Sequence, residues 1–155
     1  MIALSCANTS PEFSILHMPY LRRLVFSGAL LSASFALFAQ DSAKVARGKY
    51  LVEEVGKCQE CHTPRLESGE FDKTKWMKGS VLNVAPIKPI QGWHKTSPDI
   101  TPEGRLWERW TADGIKKYMQ TGLNPKGKPA DAPMPNYKMT PEDADAVVEY
   151  LKTLK

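Results

Sequence analysis

Cysteine is scarce in this chain: three residues in 155. Three cannot build the paired framework of a disulfide-stapled domain, so the core must be apolar or assembled on a ligand. Histidine is as scarce, with three residues. No uninterrupted apolar run reaches the roughly 20 residues that cross a bilayer as a helix. No stretch alternates apolar and polar residues convincingly, as a half-buried strand would. Internal repeats are missing too. So is a strong charge of one sign: 21 Lys and Arg against 17 Asp and Glu leave a net +4. That balance gives no case for nucleic-acid binding and only mild steering toward acidic partners.

The N-terminal part has the composition of a targeting segment. Arg22 and Arg23 precede an apolar and small-residue run from Leu24 to Phe38. A basic region, a short apolar region and a small-residue exit describe a secretory signal. Cleavage is expected after Ala36 or Ala39; an uncleaved segment would act as a membrane anchor. Residues 1–17 fit neither role, and Met18 is a candidate true start, which would remove Cys6 and His17. The expected organisation is therefore a signal over 1–39 and one domain over 40–155. From Gln40 onward, 19 basic and 16 acidic side chains leave +3.

Two of the cysteines stand in Cys58-Gln59-Glu60-Cys61-His62. Two thiols three residues apart can each add to one vinyl group of a single porphyrin, and the histidine that follows is placed to ligate the iron. Three other uses of the pair fare worse. A structural zinc site needs four ligands; of Cys6, His17 and His94, the first two lie in the segment expected to be absent from the mature protein, which leaves too few. A thioredoxin-like pair should follow a buried strand, whereas the charges in Tyr50–Lys57 recur at helical spacing. A disulfide between such near neighbours closes almost no loop and stabilises little. Covalent attachment of one haem c is the expectation, through Cys58 and Cys61, with His62 as an axial ligand.

Three helices are predicted around that motif. Val45, Gly48, Val52 and Val55 share one helical face over 42–56, with Leu51 beside them and Asp41 or Ser42 as the cap. Gly48 is costly inside a helix unless another helix crosses closely over it. Thr140 and Pro141 open a second helix over 141–154, with a buried stripe of Ala144, Val147, Val148, Leu151 and Leu154. A third spans 112–121, capped by Thr111, ended by Gly122, with Ile115, Tyr118 and Met119 inward. Residues 80–104 read as a long loop, which is reasonable only if it packs on a ligand. The fold expected is all-α, with the terminal helices crossing.

A sixth ligand must come from elsewhere. Met134 lies between Pro133 and Pro135, and the two rings hold the chain extended and stiff. Met134 is the expected ligand. Met139 and His94 are the alternatives; Met119 belongs to a helix stripe and fits a core role better, and Met77 is a further rival, nearer His62 among charged residues. A thioether opposite a histidine raises the reduction potential. With both axial positions filled, chemistry at an open iron site is disfavoured.

With these residues in view, the chain resembles a single-haem class I cytochrome c of the bacterial periplasmic type. The resemblance is carried by Ala46-Arg47-Gly48-Lys49-Tyr50-Leu51, the Cys58–Pro64 segment, Ser97-Pro98-Asp99-Ile100-Thr101-Pro102, Trp110-Thr111, Met134-Pro135-Asn136-Tyr137 and Val147–Lys152. It is similar in particular to cytochrome subunits that accompany membrane-associated dehydrogenases. The resemblance implies that Gly48 packs against the last helix near Tyr150, and that a carbonyl after His62 orients its imidazole. Asp99 stands where the family often has Asn, which removes the basis for a polar contact to the haem there. The expected function is electron transfer without catalysis, as a periplasmic carrier, monomeric if free, between donor and acceptor proteins. The alternative is a haem-bearing subunit of a membrane-associated dehydrogenase or oxidase complex. A haem sensor or peroxidase-like enzyme ranks lower. Trp93, Trp107 and Trp110 are expected to pack the haem pocket rather than form a docking patch.

Overall fold

The structure, a computed structural model, describes residues 41–155. The expected signal segment and the alternative start at Met18 lie outside the described residues. Helix α1 runs over residues 41–50 and continues as a π-helical turn, Leu51–Val55. Helix α2 is one turn, Gln59–His62. A 3-10 turn follows at Lys73–Lys75. Helix α3 is Arg105–Thr121, and α4 is Pro141–Lys152. Among the described residues there is no sheet, only isolated bridges such as Val81 with Thr96. The all-α expectation holds.

The ends of the domain form a clamp. Gly48 is buried where α1 crosses α4, and a Cβ built on it would lie 1.9 Å from the Ala146 carbonyl oxygen. That approach is possible only without a side chain, which explains a helix-interior glycine. Tyr150, on the same face of α4, donates its hydroxyl hydrogen to Glu53. Asp145 then ties three helices together, accepting from Lys44 of α1 at 2.7 Å and Lys116 of α3 at 2.6 Å.

Helix α4 follows its sequence signals. Thr140 Oγ1 accepts from Asp143 N at 3.2 Å, Pro141 opens the helix, and Ala144, Val147, Val148 and Leu151 are buried. Two local expectations are corrected. Val55 is exposed, whereas Leu51 and Val52 are buried as expected. The π-type bond from Gly56 N to Leu51 O (2.7 Å) widens the last turn of α1 and rotates the apolar face away from Val55. Residues 41 and 42 are already helical, so neither Asp41 nor Ser42 stands outside α1 as its cap.

Helix α3 begins earlier than expected, at Arg105. Thr111 breaks it with φ 59° and ψ 169°, so Ala112–Thr121 is a distinct straight segment. Its buried residues are Ile115, Tyr118 and Met119, and Gly122 ends it in the left-handed conformation. The 80–104 stretch is irregular throughout, as expected. What it wraps is a cavity of about 430 Å³ that runs between this loop, α1, α3 and α4.

Candidate functional site

The motif residues reach the cavity because the chain turns sharply at Lys57, which takes φ 48°. That reversal starts α2 at once, and His62 N bonds back to Cys58 O at 2.8 Å. One helical turn brings residues three and four apart onto a common side, and Cys58, Cys61 and His62 all line the cavity. Both cysteines are free thiols. Burial pushes the Cys58 thiol up to about 11 and raises Cys61 as well.

His62 is 4 % exposed. Its Nδ1 lies 2.8 Å from the Pro98 carbonyl oxygen. A carbonyl only accepts, so Nδ1 carries the proton and Nε2 keeps its lone pair for a metal. Burial also pushes the imidazole toward its neutral form. The loop that provides the carbonyl is itself anchored. Ser97 Oγ donates to Cys61 O at 2.5 Å and accepts from Ser80 N at 2.9 Å, and Gly79 N donates to His62 O at 2.8 Å. A side chain at Gly79 would press on Ser97 O at 2.7 Å. The carbonyl implied by the family resemblance is therefore that of Pro98.

Met134 lines another wall of the cavity and is half-buried. Its strap is held from α3: the buried Tyr118 donates its hydroxyl hydrogen to Pro135 O at 2.6 Å, and Met139 N donates to Met119 O at 2.9 Å. Tyr137 reaches across to Gly56 O at 3.3 Å, linking the strap to the end of α1. Of the other sulfur and imidazole candidates, Met119 and His94 also line the cavity, whereas Met139 and Met77 do not. Met77 is fully buried in the core. His94 is exposed, with Nε2 3.1 Å from Asp131.

The remaining walls suit a flat apolar group. Val52, Ile100, Leu106, Ile115, Val147 and Leu151 face the space, and the exposed lining residues Arg109, His94 and Asp131 stand where it opens to water. Trp110 lines the cavity and leans on Tyr118, ring centroids 5.4 Å apart, while Trp107 Nε1 donates to Ile100 O at 2.8 Å. Trp110 therefore builds the pocket and Trp107 supports it through Ile100, whereas Trp93 does not line it. Asp99 turns into its own loop, where Oδ1 accepts from Thr101 N and Thr101 Oγ1, each at 2.7 Å. Two free thiols, a lone-pair nitrogen and an apolar cavity fit a covalently attached haem. Bound there, haem supplies reversible one-electron chemistry at its iron. Sequence alone gave no sign of Tyr118 or Ser97 as supports, because each acts through a backbone carbonyl.

Fold and site together define a small helical domain that carries haem through a C-x-x-C-H motif and moves electrons rather than transforming a substrate. The cytochrome c family model matches residues 45–155, and the chain belongs to that family. It is similar to a dihaem cytochrome c-type protein of Cereibacter sphaeroides, 33 % identical over 88 % of this chain and 45 % of that protein. The gluconate 2-dehydrogenase cytochrome c subunit of Pantoea cypripedii is 29 % identical over 78 % of this chain and 28 % of its own length. The cytochrome c subunit of the quinone alcohol dehydrogenase of Gluconobacter oxydans is 37 % identical over 51 % of this chain and 16 % of its own. The chain thus spans less than half the length of each of these relatives.

Proposed function

We propose that this chain is the haem-bearing electron-transfer subunit of a bacterial dehydrogenase complex, in preference to a freely diffusing carrier. The observation that carries this reading is the kind of relative it has: cytochrome subunits of gluconate and alcohol dehydrogenases. The catalytic partner would oxidise a small organic molecule, and this domain would take the electrons one at a time.

Within the domain, Cys58 and Cys61 form the thioether links, and His62 and Met134 are the axial ligands. The strap geometry supports Met134. Met139 does not line the cavity, Met119 belongs to the buried face of α3, and the His94 imidazole is paired with Asp131 at an exposed position. Two protein ligands leave no open iron site, which sets aside the sensor and peroxidase-like readings. A domain beginning near Gln40 would be exported by the preceding segment to the periplasm, where haem is attached. No helix among the described residues is long and apolar enough to cross a membrane.

Gentle detergent extraction of native membranes, followed by native electrophoresis stained for haem, tests the assignment. The haem-stained polypeptide is expected to migrate with dehydrogenase activity. A haem protein found entirely in the soluble fraction as a monomer would overturn the subunit reading in favour of a mobile carrier.

A further inference from the structure

The loop over residues 81–90 exposes more apolar surface than its neighbours in the fold require. Val81, Val84, Ile87 and Ile90 are 69, 56, 102 and 50 % exposed, four of the eight large exposed hydrophobic residues among the described residues. Single exposed aliphatics are ordinary; a cluster in one short loop marks a contact surface. Pro86 and Pro89 sit between them and restrict the tip, so less entropy is lost when it docks. The base of the loop is tied. Leu82 N donates to Lys95 O at 2.8 Å, Val81 bridges Thr96, and His94 N donates to Ala132 O at 2.8 Å. Leu82, His94 and Thr96 line the large cavity, so the apolar tip extends from the edge of the redox site.

The surroundings are basic. Lys88 is on the tip, Lys95 lies between two cavity-lining residues, and Arg109 lines the cavity itself. Lys126 and Lys128 occupy a turn whose Asn124 also lines it. All five are exposed. The acidic lining residue, Asp131, is paired with His94. An apolar tip with exposed basic side chains on its own loop and beside the adjoining cavity selects a complementary face: an apolar depression bordered by carboxylates.

We propose that the 81–95 loop and its basic surround are the docking face for the protein redox partner, and that electrons cross there. This rests on the electron-transfer reading given above. A second copy of the chain is a poor occupant, since the same basic face and the net +3 charge from Gln40 onward would oppose it. A bilayer would cover the edge of the redox site with lipid and keep the partner away.

The test uses haem-loaded protein and membranes from producing cells that lack their own copy, energised with respiratory substrate. Wild type is compared with Ile87→Ser/Ile90→Ser and with Lys88→Glu/Lys95→Glu. Two quantities are read: the fraction that sediments with the membranes and the rate of haem reduction. Each double variant should bind less and be reduced about tenfold more slowly, with reduction by ascorbate unchanged. The wild-type rate should fall with added salt, and the charge variant should respond less. Equal rates for wild type and both variants would overturn the docking face while leaving the electron-transfer reading intact. Failure of the membranes to reduce wild type would overturn both. Binding to protein-free anionic phospholipid vesicles that disappears in the Ile87→Ser/Ile90→Ser protein would replace the partner protein with a bilayer.

Discussion

His62 is the residue where one hydrogen bond decides the chemistry. The Pro98 carbonyl accepts a hydrogen bond from Nδ1–H at 2.8 Å, and the ring is thereby both oriented and left with a free lone pair at Nε2. Cys58, Cys61 and His62 were legible in the sequence because their function fixes their spacing. Pro98 was not legible from its own side chain, since a carbonyl belongs to every residue; only the resemblance pointed to that loop. Tyr118 was read as one of three inward residues of a helix stripe, and its hydroxyl does more than fill space. It holds the strap at Pro135, next to Met134. Removing it in Tyr118→Phe takes the donor away from the Pro135 carbonyl, at a cost of about 1 kcal/mol. Chemical denaturation should show that loss. If it falls on the strap, exogenous imidazole should bind the oxidised protein about fivefold more tightly.

At the scale of elements, the crossing of α1 and α4 rests on Gly48. The apolar repeat that marked α1 also marked this glycine as a contact point, and the 1.9 Å separation between a built Cβ and Ala146 O gives the reason. Backbone cannot yield there as a flexible side chain would. Gly48→Ala should therefore destabilise the folded protein by about 3 kcal/mol or more, read as a lowered urea midpoint with little change in slope. A midpoint within about 0.5 kcal/mol of wild type would show that the helices separate easily. The cap at Thr140 and the stripe of α4 were legible because local chemistry and tertiary packing agree there. Val55 was misplaced, since periodicity assumes 3.6 residues per turn and the π turn departs from it. The first part of α3 was missed because Gly104 provides no side-chain cap and Thr111 interrupts the helical pattern.

Over the whole molecule, Asp145 joins three helices through two lysines. Lys116 and Lys44 hold its carboxyl down at about 2. A carboxylate with a depressed folded-state value stabilises the protein fully above the ordinary range near 3.8, and that contribution disappears as pH falls through about 2. The site is partly open to solvent, so screening reduces its worth to about 1 kcal/mol. Asp145→Asn should be less stable than wild type by about that amount at neutral pH, and the gap should close between about pH 4 and pH 2. A gap constant across that window would place the effect in packing instead. This three-way tie was not legible, because long-range charge pairing leaves no periodic trace in a sequence. The global layout was legible for the opposite reason: two capped amphipathic helices and a covalent attachment motif leave few ways to bury everything at once. The assignment that most needs measurement is the sulfur ligand. In Met134→Ala, the sulfur-to-iron charge-transfer band of the oxidised protein should vanish while haem stays covalently attached; a band that survives unchanged would contradict His62/Met134 ligation.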